Sequence, residues 1–345
     1  MSLFTSNSRR FLIVFFVIVG LAPIPFLAAS EWMLRTFVLP YDTFESIAKR
    51  LRETNNPDAA FGDSHVAAVS TYDRDGIANL GIGATTIRHI ASRVEYYYSK
   101  VKPGKVIIQA DPHQFAEYRL EAQGTYIPES YAQGRLRVFD ERHRRFMSEY
   151  WKRFIRQGGL HVREEAGRPD QLWRAMAAKG EPKKEAEPPP ADPGAKVATK
   201  EAGHAIATRK AEAGPVNAND AKVISEFEVF MDWEVGAHTP VSDFRQRDEA
   251  RIYARMLDFL IARGATVCLV NYPVDLNYRR RADKIPLFGE VRDFFKELAA
   301  QRRIRYVSFW SRFDDPSMFE NADHVNRKGS DILSREARDA CFGKG

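Results

Sequence analysis

Residues 59–65 read Ala59-Ala60-Phe61-Gly62-Asp63-Ser64-His65. The Ala-Ala-Phe run predicts a short strand. Gly-Asp-Ser directly behind it predicts a tight turn into a helix, which exposes the Ser64 hydroxyl and aims its backbone N–H into the same space. Working outward, residues 77–80 read as a second strand ending in Gly81-Ile82-Gly83. Thr85 or Thr86 then caps a helix striped by Ile87, Ile90, Val94 and Tyr98 and stopped at Lys102-Pro103-Gly104. Val106-Ile107-Ile108 is apolar throughout, as a strand buried on both faces must be. Further on, helix 248–263 (Ile252, Met256, Leu257, Phe259, Leu260) precedes strand 266–270, and helix 287–298 precedes strand 304–309. Helices alternating with short apolar strands predict an α/β fold, a three-layer αβα sandwich around a mostly parallel sheet.

Two stretches stand apart from this pattern. Residues 11–29, FLIVFFVIVGLAPIPFLAA, form an uncharged apolar run behind Arg9 and Arg10. Its length and flanking charge predict a transmembrane anchor over 11–31, with 1–10 cytoplasmic and the rest outside, as in a single-pass inner-membrane protein with a periplasmic domain. The alternative is a cleaved signal peptide with a weak small-residue site at Ala28 and Ser30. Residues 179–217, rich in Ala, Pro, Lys and Glu, bury too little to offset their ordering entropy and read as a disordered insertion within one α/β domain covering 33–345. From Asp140 a helix carries Phe146, Met147, Tyr150, Trp151, Phe154 and Ile155 on one face, a pattern more often core than ligand platform.

Composition sets limits on function. The chain has 345 residues, 44% of them hydrophobic and 28% charged, with a net charge of +6. It is globular, and its basic balance favours anionic surroundings. The arginines at 279–281 and in the 142–153 region lack any nucleic-acid-binding motif, so no nucleic-acid partner is expected. The histidines lack metal-ligand spacing, so neither a metal nor another cofactor is expected. Cys268 and Cys341 are too few for a disulfide framework and read as buried, inert thiols.

In parallel sheets ligands bind beyond the carboxyl ends of the strands, where Ser64, Gly83, Asp111 and His324 all fall. Ser64 suits a nucleophile, and its N–H an oxyanion donor. Gly83 allows close backbone approach and a second donor. His324, on a loop before a C-terminal helix, suits the base. Asp63 reads as a brace of the turn, His65 as either site lining or a cap, and His113 as a contact of substrate or loop.

The order and placement of these residues resemble the SGNH (GDSL) hydrolase family, which implies a flavodoxin-like sheet. Its blocks look like Phe61-Gly62-Asp63-Ser64, Asn79 to Thr86, Gln109-Ala110-Asp111-Pro112, and Asn321-Ala322-Asp323-His324. Two departures are visible. The third block lacks the family's asparagine, leaving Gln109 or His113 as substitute donors. The fourth has Asn321 where the family carries the aspartate that orients the histidine. Asp323, adjacent to His324, is expected to point elsewhere. The resemblance is nearest to the accessory proteins of surface-polymer O-acylation, similar to the D-alanine transfer and alginate O-acetylation proteins. It implies an extracytoplasmic serine esterase or O-acyltransferase on an acylated polysaccharide, working beside a membrane-bound O-acyltransferase. Ser64, His324, Asn321 and Asp323 would be catalytic, with Gly83, Gln109, Asp111 and His113 around the oxyanion and substrate. The alternative is a weakly active or inactive module that binds polymer or scaffolds the acyltransferase.

Overall fold

Five strands form one parallel sheet in the order β2-β1-β3-β4-β5: β1 (Ala59–Phe61), β2 (Ala78–Asn79), β3 (Lys105–Gln109), β4 (Thr266–Asn271) and β5 (Arg305–Ser308). The structure is a computed structural model that describes residues 23–39, 42–120, 134, 136–144, 146–157 and 218–343. The expected insertion at 179–217 lies outside the described residues. After its first residue β3 is buried throughout, as is β4, which is why these strands read as unbroken apolar runs.

The chain divides into two compact units, residues 53–126 with 187–345, and residues 1–52 with 127–186. This division cuts through the stretch read from sequence as one domain. The sheet unit also holds α1 (Ser64–Ala68), α2 (Ile87–Lys100), α3 (Glu117–Leu120), α4 (Ala218–Ala237), α5 (Asp248–Ala262), α6 (Leu276–Ala282), α7 (Pro286–Arg302) and α8 (Arg327–Phe342). α2 begins at a capping box, Thr86 accepting from the His89 N–H while His89 Nδ1 accepts from the Thr86 N–H. One core joins Ala60, Ile107 and Val270 of the strands to Val66 of α1 and Leu333 and Ala337 of α8. A second gathers Met231 and Val235 of α4 with Tyr278, Phe288 and Trp310.

The cysteines are not free thiols. Cys268 on β4 and Cys341 on α8 form a disulfide with a Cα–Cα distance of 5.6 Å. The fold brings them into one core across 73 residues, a pairing that spacing alone does not reveal.

In the other unit, helices Pro23–Met33 and Met147–Gln157 supply Met33 and Tyr150 to a small core with Leu34, Val38, Val138 and Phe146. The stripe expected from Asp140 is largely inward, with Phe146 and Tyr150 buried, but Ile155 is exposed. The membrane expectation is corrected here. Residues 11–22 lie outside the described residues, and among the described ones no helix is long and apolar enough to cross a membrane. What is described of the expected span is an 11-residue helix that continues past residue 31, and Glu31 on it accepts bonds from Arg35 Nε and the Val138 N–H. At 1.5 Å per residue that helix covers roughly half of a bilayer core. The single-pass, inner-membrane placement therefore has no described helix to carry it.

Candidate active site

The chain leaves β1 toward β2 on one side of the sheet and returns to β3 on the other, and the crevice at such a reversal is where α/β sheets hold ligands. The Gly-Asp-Ser turn sits there. Asp63 is the N-cap of α1, its Oδ1 accepting from the His65 N–H at 2.9 Å. Ser64 begins α1 half-buried, and its N–H has no helical partner, as is general for a first turn. Gly62 has to be glycine. A Cβ there would stand 2.2 Å from Val66 Cγ2 and 2.4 Å from Gln109 Oε1, closing the gap through which Gln109 reaches the Asp63 N–H at 2.6 Å.

Two buried arginines hold the loops. Arg93, on the inward face of α2, donates to the carbonyls of Gly62 at 2.8 Å and Leu80 at 2.9 Å, tying the ends of β1 and β2 together. Arg119 donates to the Thr85 carbonyl at 3.0 Å and pairs with Asp63 Oδ2 at 3.1 Å. Asn79 adds a further tie, donating to the carbonyls of Val66 and Val69 and accepting from the Gly81 N–H. The loop so held is exposed at Gly83, where a Cβ would lie 3.8 Å from Ser64 Cβ, so its backbone passes directly by the serine. Ala84 follows with φ of 58°, a left-handed conformation that costs a residue with a Cβ about 1 kcal/mol.

Behind Ser64 lies a buried polar network. Asp63 Oδ2 accepts from His113 Nε2 and Gln114 Nε2, both at 2.6 Å, and Gln109 Nε2 reaches Asp63 Oδ1 at 2.8 Å and Asp111 Oδ2 at 2.7 Å. Asp111 Oδ1 accepts from Asn271 Nδ2 and the Tyr272 N–H, each at 2.7 Å. Burial by itself would raise the Asp63 and Asp111 carboxyls, but their donors hold both below the ordinary range, Asp63 well below it. Burial lowers His113 despite its contact with Asp63. At neutral pH it is therefore an uncharged donor, and Arg119 supplies the positive charge that balances Asp63. Burial likewise pushes His238 down to about 3.

Gln109, Asp111 and His113, expected around the oxyanion or substrate, lie within this buried network. All are buried, and their hydrogen bonds run to one another, to Asp63, and from Asp111 to His65, Asn271 and the Tyr272 N–H.

The fourth block contributes the open side. His324 Nδ1 lies 2.8 Å from Asn321 Oδ1 and 2.7 Å from Asp323 Oδ1. The ring N–H is aligned on Asn321, and Asp323 Oδ1 lies close by but off that line, without a hydrogen bond. Asp323 therefore faces His324, against the expectation that it points away. Burial would raise its carboxyl, and His324 and His65 hold it well below the ordinary range. The His324 side chain is 22% exposed, and its ring packs edge-on against His65 with centroids 5.1 Å apart. Ser64, Asn321 and His324 are half-buried and Gly83 is exposed, which makes these four the accessible members of the set. Ser64 Oγ makes no hydrogen bond to His324 in this structure.

Sequence reasoning passed over Arg93, Arg119, Gln114, Asn271 and His238. The only local signal was that Arg93 falls in the apolar stripe of α2. Cation-holding geometry also exists that spacing does not register. The donor atoms of Asp63, His65 and His113, and those of His65, Asp323 and His324, lie within 4.8 Å of one another. In the first group Asp63 already accepts from several donors. In the second, His65 stands between two carboxylates.

No protein-family model matches the chain, and no curated protein matches it either. A solved structure it resembles is that of a candidate acylhydrolase from Bacteroides fragilis NCTC 9343, with 11% identity and a TM-score of 0.41, covering 87% of this chain and 95% of that one. So distant a likeness carries nothing about chemistry, which rests on the side chains above.

Proposed function

We propose that this protein is a serine esterase or O-acyltransferase of the SGNH type, its sheet and helices forming that fold's three-layer sandwich. Ser64 is the nucleophile and His324 its base. The observation that supports this most directly is the pairing of His324 Nδ1 with Asn321 and Asp323, which directs the other ring nitrogen away from the buried network. Ser64 Oγ attacks the acyl carbonyl and His324 Nε2 takes its proton. The N–H groups of Ser64 and Gly83 receive the oxyanion, and the alkoxide leaves with the proton returned by His324. Water or a sugar hydroxyl then takes the acyl group from Ser64. A polysaccharide O-acyl ester, acetyl first, is the substrate class suggested by the family resemblance, and a membrane-bound O-acyltransferase the corresponding partner.

The scaffold reading draws on the absence of a Ser64–His324 hydrogen bond. A fluorophosphonate probe separates the two. The esterase reading expects labelling that is lost in Ser64→Ala, whereas a well-folded wild type that takes no label would leave a binding module.

A further inference from the structure

We propose that His65 is a positioning residue that bridges the carboxylates of Asp111 and Asp323 and so holds Asp323 against the base His324. This rests on reading His324 as the base. His65 Nδ1 lies 2.8 Å from Asp111 Oδ2, and Nε2 lies 3.3 Å from Asp323 Oδ2. All three side chains are buried, Asp111 at 1% exposure. Asp111 also accepts from Gln109, Asn271 and the Tyr272 N–H. An acceptor of that many bonds is an ionised carboxylate, and an ionised carboxylate cannot donate. The Asp323 carboxyl, held well below the ordinary range, is ionised as well, so each His65 nitrogen faces a group that can only accept; both donate, and the ring is an imidazolium. The result is a continuous buried chain from the end of β4 through Asp111, His65 and Asp323 to His324, which faces solvent.

The groups facing His65 account for its charge. Burial disfavours the imidazolium, but Asp111 first, then Asp323 and Asp63, hold its titration well above the ordinary histidine range. His113 and His324 approach it with ring centroids 4.4 Å and 5.1 Å away. Without a cation between them, Asp111 and Asp323 would be buried like charges facing one another, and Asp323 would turn away or take up a proton. Asn321 cannot replace the missing negative charge at His324. The bridge explains how a fourth block lacking the family's aspartate still presents a fixed carboxylate there. It also gives the histidine of the Gly-Asp-Ser-His turn a role distinct from lining or capping.

The test is a double-mutant cycle in the full chain, read as kcat and KM for p-nitrophenyl acetate. Loss of a positioning contact should lower kcat about 10²-fold in His65→Gln, with KM nearly unchanged. In an Asp323→Asn background the same change should cost less than about threefold, because the residue acts through Asp323. Equal losses in both backgrounds would overturn the proposal. A second measurement needs neither activity nor a folded variant. Nitrogen NMR of wild-type His65 should show both ring nitrogens protonated at pH 8, where an ordinary imidazole is neutral. A neutral ring there would refute the bridge even if Ser64 proves catalytic, and a protonated one would stand even if Ser64 proves inert.

Discussion

Asp323→Asn should cost more turnover than any change at Asn321, although Asn321 stands where the SGNH hydrolases that the sequence resembles carry their orienting aspartate. The two side chains do different work on the same nitrogen. In the proposed mechanism Asn321 Oδ1, accepting the aligned Nδ1–H at 2.8 Å, fixes the tautomer, and Asp323 Oδ1 at 2.7 Å supplies the charge that stabilises the imidazolium formed as Ser64 attacks. At an effective dielectric constant of about 20, unit charges at that separation interact by roughly 6 kcal/mol. His324 is 22% exposed, and solvent screening reduces this to roughly 4 kcal/mol, or about 10³ in rate. The tautomer survives in Asp323→Asn because Asn321 remains, so the loss should stop short of the roughly 10⁴ seen where the wrong tautomer results. Asn321→Ala removes one neutral hydrogen bond from the His324 ring and should cost about tenfold in turnover. It should also lower the melting temperature, because Asn321 Oδ1 accepts from the backbone N–H groups of Asp323 and His324 as well. The assay is p-nitrophenyl acetate hydrolysis at neutral pH, with melting curves as the folding control. An Asn321→Ala loss larger than that of Asp323→Asn would refute the division of labour.

Gly62→Ala should destabilise by about 3 kcal/mol or more in urea titrations, since it overpacks against Val66 and displaces Gln109 from Asp63; a change under about 1 kcal/mol would show the turn to be adaptable. Ala84→Gly should relieve left-handed strain and raise stability by up to about 1 kcal/mol, while lower turnover would show that the strained loop positions Gly83. His238 is held near 3 when folded and titrates near about 6.5 when unfolded, so the unfolded chain binds the extra proton between those values. Stability should therefore fall as pH is lowered from about 6.5. His238→Gln should flatten that fall by up to about 1.4 kcal/mol per pH unit, and an unchanged slope would place the titration elsewhere. Reducing Cys268–Cys341, which closes a 73-residue separation, should lower stability by about 4 kcal/mol, and identical unfolding midpoints with and without reductant would contradict the bridge.

The centre of the sheet was legible in the sequence because β3 and β4 are apolar on both faces and bounded by glycine, proline or polar turns. The Gly-Asp-Ser turn was legible because glycine is dictated there by steric contact. Helix α4 was not, since its apolar residues form no stripe: Met231 is buried while Val229 and Trp233 are exposed. The buried network was hidden for a different reason. Arginine, histidine and aspartate read as solvated until the sheet order sets the end of β1 beside the end of β3. His65 and Asp323 are 258 residues apart in sequence. The direction of Asp323 depended on a loop hydrogen-bonded through Asn321, which adjacency to His324 could not supply.

The proposed mechanism passes through a covalent acyl-enzyme on Ser64. Acid-quenching the full chain during turnover of p-nitrophenyl acetate, followed by peptide mass spectrometry, tests it most directly. One acetyl group is expected on the peptide carrying Ser64, formed in Asn321→Ala and wild type and absent in Ser64→Ala. Turnover that persists in Ser64→Ala, or acetyl found on another residue in its place, would contradict it.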